Sequence, residues 1–198
     1  MIKLRDTIVL QALYNAIASR ELGDYHLGAG NGNDPFAPSP FENGQADCSN
    51  WVHWIIGCVL NQQPFKGPYL NTDGIVLDAY GAKYGGAVST TPKHLMFVPV
   101  PAGESPSVCD LVVSPGTWYQ DATGAWKRSV PGHVGLISQI MPTYQRSMPF
   151  NTEGYKHLRA IHCNAGAAPA VDETNAAPWR NRGYLCRYRF FVDRPVGA

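Results

Sequence analysis

Charge is scarce in this chain: Asp, Glu, Lys and Arg together make up 16% of 198 residues, and the formal net charge is +1. A surface so close to neutral lacks the basic face that a phosphate backbone requires, so no nucleic-acid partner and no polyanionic substrate is expected. With 44% hydrophobic residues the chain is not composed like a disordered one either. The five cysteines form no C-x-x-C pair and no regular framework, which argues against a disulfide-stapled scaffold and leaves at least one thiol free. No run approaches the roughly 18 apolar residues of a membrane span, and Met1-Ile2-Lys3-Leu4-Arg5-Asp6 carries charges where a signal peptide has its apolar core. The expectation is therefore a protein made in the cytoplasm without a signal peptide and without membrane insertion. Internal repeats, low-complexity tracts and a convincing linker are also missing, so residues 1–198 read as a single domain with a real core.

What is present begins with a helix. Val9, Leu13, Ala16 and Ile17 fall at helical spacing with Gln11, Asn15 and Ser19 between them, predicting an amphipathic helix over about 6–21 that Gly23 ends. Residues 24–46, with Gly28, Gly30, Gly32 and Gly44 among Pro35, Pro38 and Pro40, read as loop that runs straight into Cys48. From Cys48 onward Trp51, Ile55, Cys58 and Val59 share one helical face and Trp54 and Ile56 make the other sides apolar, so a central, buried helix is expected. A short helix over Thr72 to Tyr80 and a strand over 95–100 follow. Leu111 to Val113, a hairpin around Asp121-Ala122-Thr123-Gly124, His133 to Ile140, Leu158 to Cys163 and Tyr184 to Val192 read as strands. The stretch from Ala165 to Pro178 reads as a surface loop. Helices first and strands later imply an α+β domain with a largely antiparallel sheet.

The position of Cys48 is the most informative chemical signal. The first N–H groups of a helix have no intrahelical acceptor, and with the helix dipole they favour a thiolate, the reactive form of cysteine. A base must then come from elsewhere, and Pro131-Gly132-His133-Val134-Gly135 supplies one. Strand alternation puts His133 and the side-chain-free Gly135 on one face, leaving room for a substrate or a helix end. His162, on the same strand face as Leu158 and Ala160, is the candidate to orient His133, with Asn164 or Asp110 as alternatives. The Cys48 N–H and a hydroxyl such as that of Tyr25 are candidate oxyanion donors, Tyr25 being equally readable as a loop anchor. No metal and no cofactor is expected: His157 and His162 face opposite sides of a strand, and Cys48 and His53 lie about 140° apart on a helix. Cys58, Cys109, Cys163 and Cys186 read as small core hydrophobes. Arg187 and Arg189, sharing a face with Leu185, read as a solvated strand face.

Taken together, Tyr25-His26-Leu27-Gly28, Asp47-Cys48-Ser49-Asn50-Trp51, Cys109-Asp110-Leu111-Val112, Gly132-His133-Val134-Gly135-Leu136 and His162-Cys163 resemble, in order and content, the blocks of the NlpC-type papain-like cysteine peptidases that cut bacterial peptidoglycan. The resemblance implies a papain-like fold with Cys48 as nucleophile, His133 as base, His162 as third member and Tyr25 near the thiol. It also implies that Asp47 and Ser49 help receive a peptidoglycan stem peptide, cleaved between D-glutamate and a diamino acid through a thioester. Asn50 stands where that pattern has glycine, Cys109 where it has the glycine before Asp-Leu-Val, and the segments 62–108 and 114–131 are expanded. Action on the cell wall would then follow release by a phage lysis or tail system or by a secretion apparatus, with any delivery or immunity partner undefined. A CHAP-type amidase, acyl transfer to another amine and a non-catalytic phage adaptor with the same fold are the alternative readings.

Overall fold

The computed structural model describes residues 4–30, 39–59, 70–81, 96–101, 103–166 and 169–189. Helix α1 (Leu4–Ala18) starts and ends slightly earlier than its apolar spacing predicts. Ala12 and Ala16 are buried and Val9 and Leu13 pack against the core, but Ile17 turns outward with Leu10 and Tyr14. The buried Ser19 just beyond the helix donates to Ala16 O and accepts from the Trp51 indole N–H, which ties the helix end to the core.

The segment expected to be loop throughout contains two short parallel strands, β1 (Asp24–Tyr25) and β2 (Gln45–Ala46). Residues 31–38 of it lie outside the described residues. Gly30 adopts φ 125°, and a Cβ there would sit 3.0 Å from the Cβ atoms of Ala46 and Asn50, so both backbone and space demand glycine. Helix α2 (Cys48–Val59) follows, buried from Cys48 through Gly57, as its all-round apolar sequence requires. Helix α3 (Thr72–Tyr80) is capped by Asn71, which accepts from Gly74 N–H, and closed by Gly81 in the left-handed region. Asp73 sits in its first turn as expected.

Eight further strands follow: β3 (Phe97–Pro99), β4 (Leu111–Ser114), β5 (Thr117–Gln120), β6 (Trp126–Val130), β7 (His133–Ile140), β8 (Leu158–Cys163), β9 (Val171–Asn175) and β10 (Tyr184–Tyr188). Six of them make an antiparallel sheet in the order β3-β10-β4-β7-β8-β9, and β5 and β6 form the separate hairpin. The expected α+β class with a mainly antiparallel sheet is met. Strand β9 corrects the surface-loop reading of 165–178: five residues with only one buried side chain form the sheet edge beyond β8.

The sheet separates two apolar layers. Val113, Val134, Leu136, Ile161 and Cys163 face the helices and pack with Trp51, Val52 and Ile55 of α2. Val112, Ile137, Leu158 and Ala160 face the other way, onto Ala176 and Trp179, where Ala177–Trp179 forms a short 3-10 turn. Arg187 corrects a second expectation. Instead of lining a solvated face it is 3% exposed, its guanidinium clamped by both oxygens of Asp110 at 2.8 and 2.9 Å and by Glu104 at 2.8 Å. A bidentate partner of opposite sign is what makes that burial tolerable. No helix among the described residues is long and apolar enough to cross a membrane.

Candidate active site

The first turn of α2 is organised by Asp47. Its carbonyl accepts the first helical bond from Trp51 N–H, while Oδ1 accepts from Asn50 N–H and the Ser49 hydroxyl and Oδ2 accepts from Gly28 N–H. Asp47 is thus the helix cap, and it fastens the glycine-containing loop to the same helix end. Both its oxygens are committed within the chain, as is the Ser49 hydroxyl proton, so these two residues build the site's wall. Tyr25, paired with Ala46 on the neighbouring strand, packs at the edge of the same core.

Cys48 occupies the first helical position. Its sulfur faces the backbone N–H groups of Val134, Ser49 and Cys48 itself, all of which draw its proton affinity down. Burial and the Asp47 carboxylate act the other way and win, pushing the thiol up to about 12. The resting thiolate expected from the helix start is therefore replaced by a protonated thiol, because a residue only 2% exposed pays more in lost hydration than three N–H groups return. The neighbouring Cys163 thiol is likewise raised, chiefly by burial and further by Cys48, and it donates weakly to Ala46 O.

The Cys48 sulfur meets the sheet through the backbone of β7. The β7–β8 ladder runs from Ile140 opposite Leu158 to Leu136 opposite Ile161, and Val134 lies beyond its end. Val134 pairs with Val113 of β4 on one side, and its N–H turns to the sulfur of Cys48. His133 is the residue before Val134, and its ring lies on the Trp179 side of the sheet. Among the described residues no hydrogen bond joins the Cys48 and His133 side chains in this resting state.

His133 Nε2 lies 2.7 Å from His162 Nδ1, which leaves Nδ1 as the other nitrogen of the His133 ring, and His162 Nε2 lies 3.1 Å from Thr174 Oγ1 on β9. Burial lowers both imidazoles, His133 to about 3, with help from His162 and Arg182, and His162 to about 4, against a small opposing pull from Asp172. Both rings are consequently neutral at neutral pH. The alternative orienters are placed elsewhere: Asp110 is held by Arg187 and Ser107 N–H, and Asn164 sits in the turn after β8.

The space that Gly135 opens beside His133 is filled by the protein. The Trp179 indole stacks on the His133 ring at 5.2 Å with planes 17° apart, meets His162 edge-on at 5.1 Å, and donates to His133 O at 3.2 Å. A Cβ at Gly135 would lie 3.0 Å from two indole carbons, so the glycine is there to admit the tryptophan. Trp179 is fully buried and shields the imidazole pair from water, which strengthens their hydrogen bond. Neither Trp179 nor Thr174 belongs to a recognisable motif in the sequence. The only available signal was a lone tryptophan in an otherwise small and polar stretch.

A buried thiol among backbone N–H groups and a neutral imidazole with one nitrogen held by a second imidazole are the kinds of group that nucleophilic acyl transfer uses. Among the described residues no three His, Cys, Asp or Glu side chains are grouped to hold a metal ion. No protein-family model matches the chain, and a search of curated proteins found no significant match.

Proposed function

We propose that this chain is a cysteine hydrolase that cleaves an amide bond in peptidoglycan stem peptides, of the D-glutamyl–diamino acid type, through a thioester. The observation that carries the reading is the His133–His162 hydrogen bond, sheltered by Trp179, in a chain that also holds a thiol at a capped helix start. The stem-peptide substrate and a papain-like, NlpC-type fold rest on the resemblance of the five sequence blocks.

The chemistry starts from a neutral pair. His133 Nδ1 takes the thiol proton as Cys48 Sγ attacks the carbonyl carbon, and the Cys48 N–H, with the Tyr25 hydroxyl as second donor, receives the oxyanion. His133 then returns the proton to the departing amine, the C–N bond breaks and a thioester remains. Water, deprotonated by His133, attacks the thioester carbonyl and releases the acid and the thiol. The burial that raises the thiol leaves the proton transfer to occur with bound substrate.

Purified protein incubated with sacculi of several wall chemistries should release stem fragments with new D-glutamate carboxyl ends, identified by mass spectrometry, and Cys48→Ala should release none. Fragments that leave sugar without its peptide would instead identify the CHAP-type amidase. A second reading, a non-catalytic adaptor, is favoured by one observation: Cys48 is 2% exposed and not hydrogen-bonded to His133. Unchanged sacculi, together with a Cys48 that iodoacetamide modifies no faster than an ordinary thiol, would establish it.

A further inference from the structure

We propose that Thr174 is a positioning residue for this site, fixing through His162 the tautomer in which His133 is protonated at Nε2 and keeps a bare Nδ1. The inference rests on the hydrolase reading for its purpose but not for its geometry.

Four groups share a chain of protons: Asn175 O, the Thr174 hydroxyl, His162 and His133. Thr174 lies on the edge strand β9 opposite Ala160, the residue two before His162, so its side chain shares the His162 face of the sheet. Its Oγ1 has two neighbours, Asn175 O at 2.9 Å and His162 Nε2 at 3.1 Å. A carbonyl oxygen only accepts, so the first contact is a hydrogen bond only when the hydroxyl proton points at Asn175. The hydroxyl oxygen must then accept from His162, which puts the His162 proton on Nε2 and leaves Nδ1 bare. That bare nitrogen is 2.7 Å from His133 Nε2 and accepts from it, so the His133 proton is on Nε2 and its Nδ1 carries a lone pair.

The opposite assignment gives up the Thr174–Asn175 bond. A hydroxyl turned toward His162 Nε2 abandons Asn175 O and forces the His162 proton onto Nδ1. His133 Nε2 must then accept, its proton moves to Nδ1, and the nitrogen meant to receive the thiol proton is already occupied. Burial agrees with the relay, since it holds both imidazoles neutral, and a tautomer is defined only in a neutral ring. Threonine suits the position because its branched Cβ restricts χ1 and so aims Oγ1.

The test uses protein with 15N-labelled histidine at neutral pH, where nitrogen shifts and their couplings to ring protons report the tautomer of each ring. Wild type should show His133 and His162 both protonated at Nε2. Thr174→Ser should keep that spectrum and the hydrolysis rate, whereas Thr174→Val should shift His162 toward the Nδ1 form and lower kcat about 10- to 100-fold with KM little changed, the range for losing an outer partner of a functional histidine. A wild-type His162 protonated at Nδ1, or a Thr174→Val protein with wild-type spectrum and kcat, would overturn the proposal. Should wild type cleave no wall at all, the hydrolase reading fails separately and the spectra alone decide the role of Thr174.

Discussion

The residue with the sharpest consequence is Trp179. Its indole covers the hydrogen bond between two imidazoles and also donates to the backbone of His133, so two effects should separate by substitution. Trp179→Phe keeps an aromatic face and removes the N–H, leaving His133 O short of a partner at about 1–3 kcal/mol, measured by urea unfolding. Trp179→Ala also opens a cavity beside Gly135 and should cost about 3–5 kcal/mol. Equal, negligible losses in both would show that the stacking does not matter. The sequence disclosed the paired histidines because a nucleophile at a helix start calls for a base and an orienter. It could not disclose the tryptophan, since a ring that reaches the site from a loop after the sheet edge leaves no periodic trace.

At the scale of elements, Asp47 and Asp73 do related work. Each spends a carboxylate on backbone N–H groups of another segment: Asp47 on the loop at Gly28 as well as its own helix, Asp73 on Gly116, with Trp118 and Arg128 added. Asp47→Ala should therefore lower stability by about 0.5–2 kcal/mol as a lost cap, and it should also loosen the Gly28 loop. Faster amide hydrogen exchange at Gly28 and Asn50, with the β5–β6 hairpin unchanged, would be the signature; uniform exchange would contradict it. Asp73→Ala should reverse the pattern, freeing the hairpin and sparing the Cys48 helix. Apolar spacing and turn residues made α2, α3, β7 and β8 legible, because their patterns are set by burial on known faces. Strand β9 was not, since an edge strand with polar side chains looks like a loop until a neighbour pairs with it.

Across the whole molecule, buried neutral groups define a pH window. His53 is lowered to about 4 by burial, opposed by its contact with Leu70 O, and His133 and His162 are lowered to about 3 and 4. Each unfolded imidazole titrates near 6.5, so the unfolded chain binds the extra protons and stability falls as pH drops below that value. The loss is about 1.4 kcal/mol per pH unit for each histidine down to its folded value. At the other end Cys48 and Cys109 are raised to about 12, so their contribution is complete below about 9 and fades as pH rises beyond it. Denaturant midpoints should therefore form a plateau from about pH 7 to 8.5 and decline on both sides; a flat profile from pH 7 to 4.5 would contradict the buried, neutral histidines. The α+β class was readable from the order of patterns along the chain, while the contact of the Cys48 sulfur with the Val134 N–H was not, because it depends on how α2 packs on β7.

The most direct measurement of the central claim is the mass of the intact protein after rapid acid quench of a reaction with a defined stem tripeptide or tetrapeptide. The account predicts an adduct equal to the acyl fragment without its departing amine, carried on Cys48, absent from Cys48→Ala and failing to form in His133→Ala. Cleavage of the peptide with no such adduct, and with undiminished rate in Cys48→Ala, would contradict it.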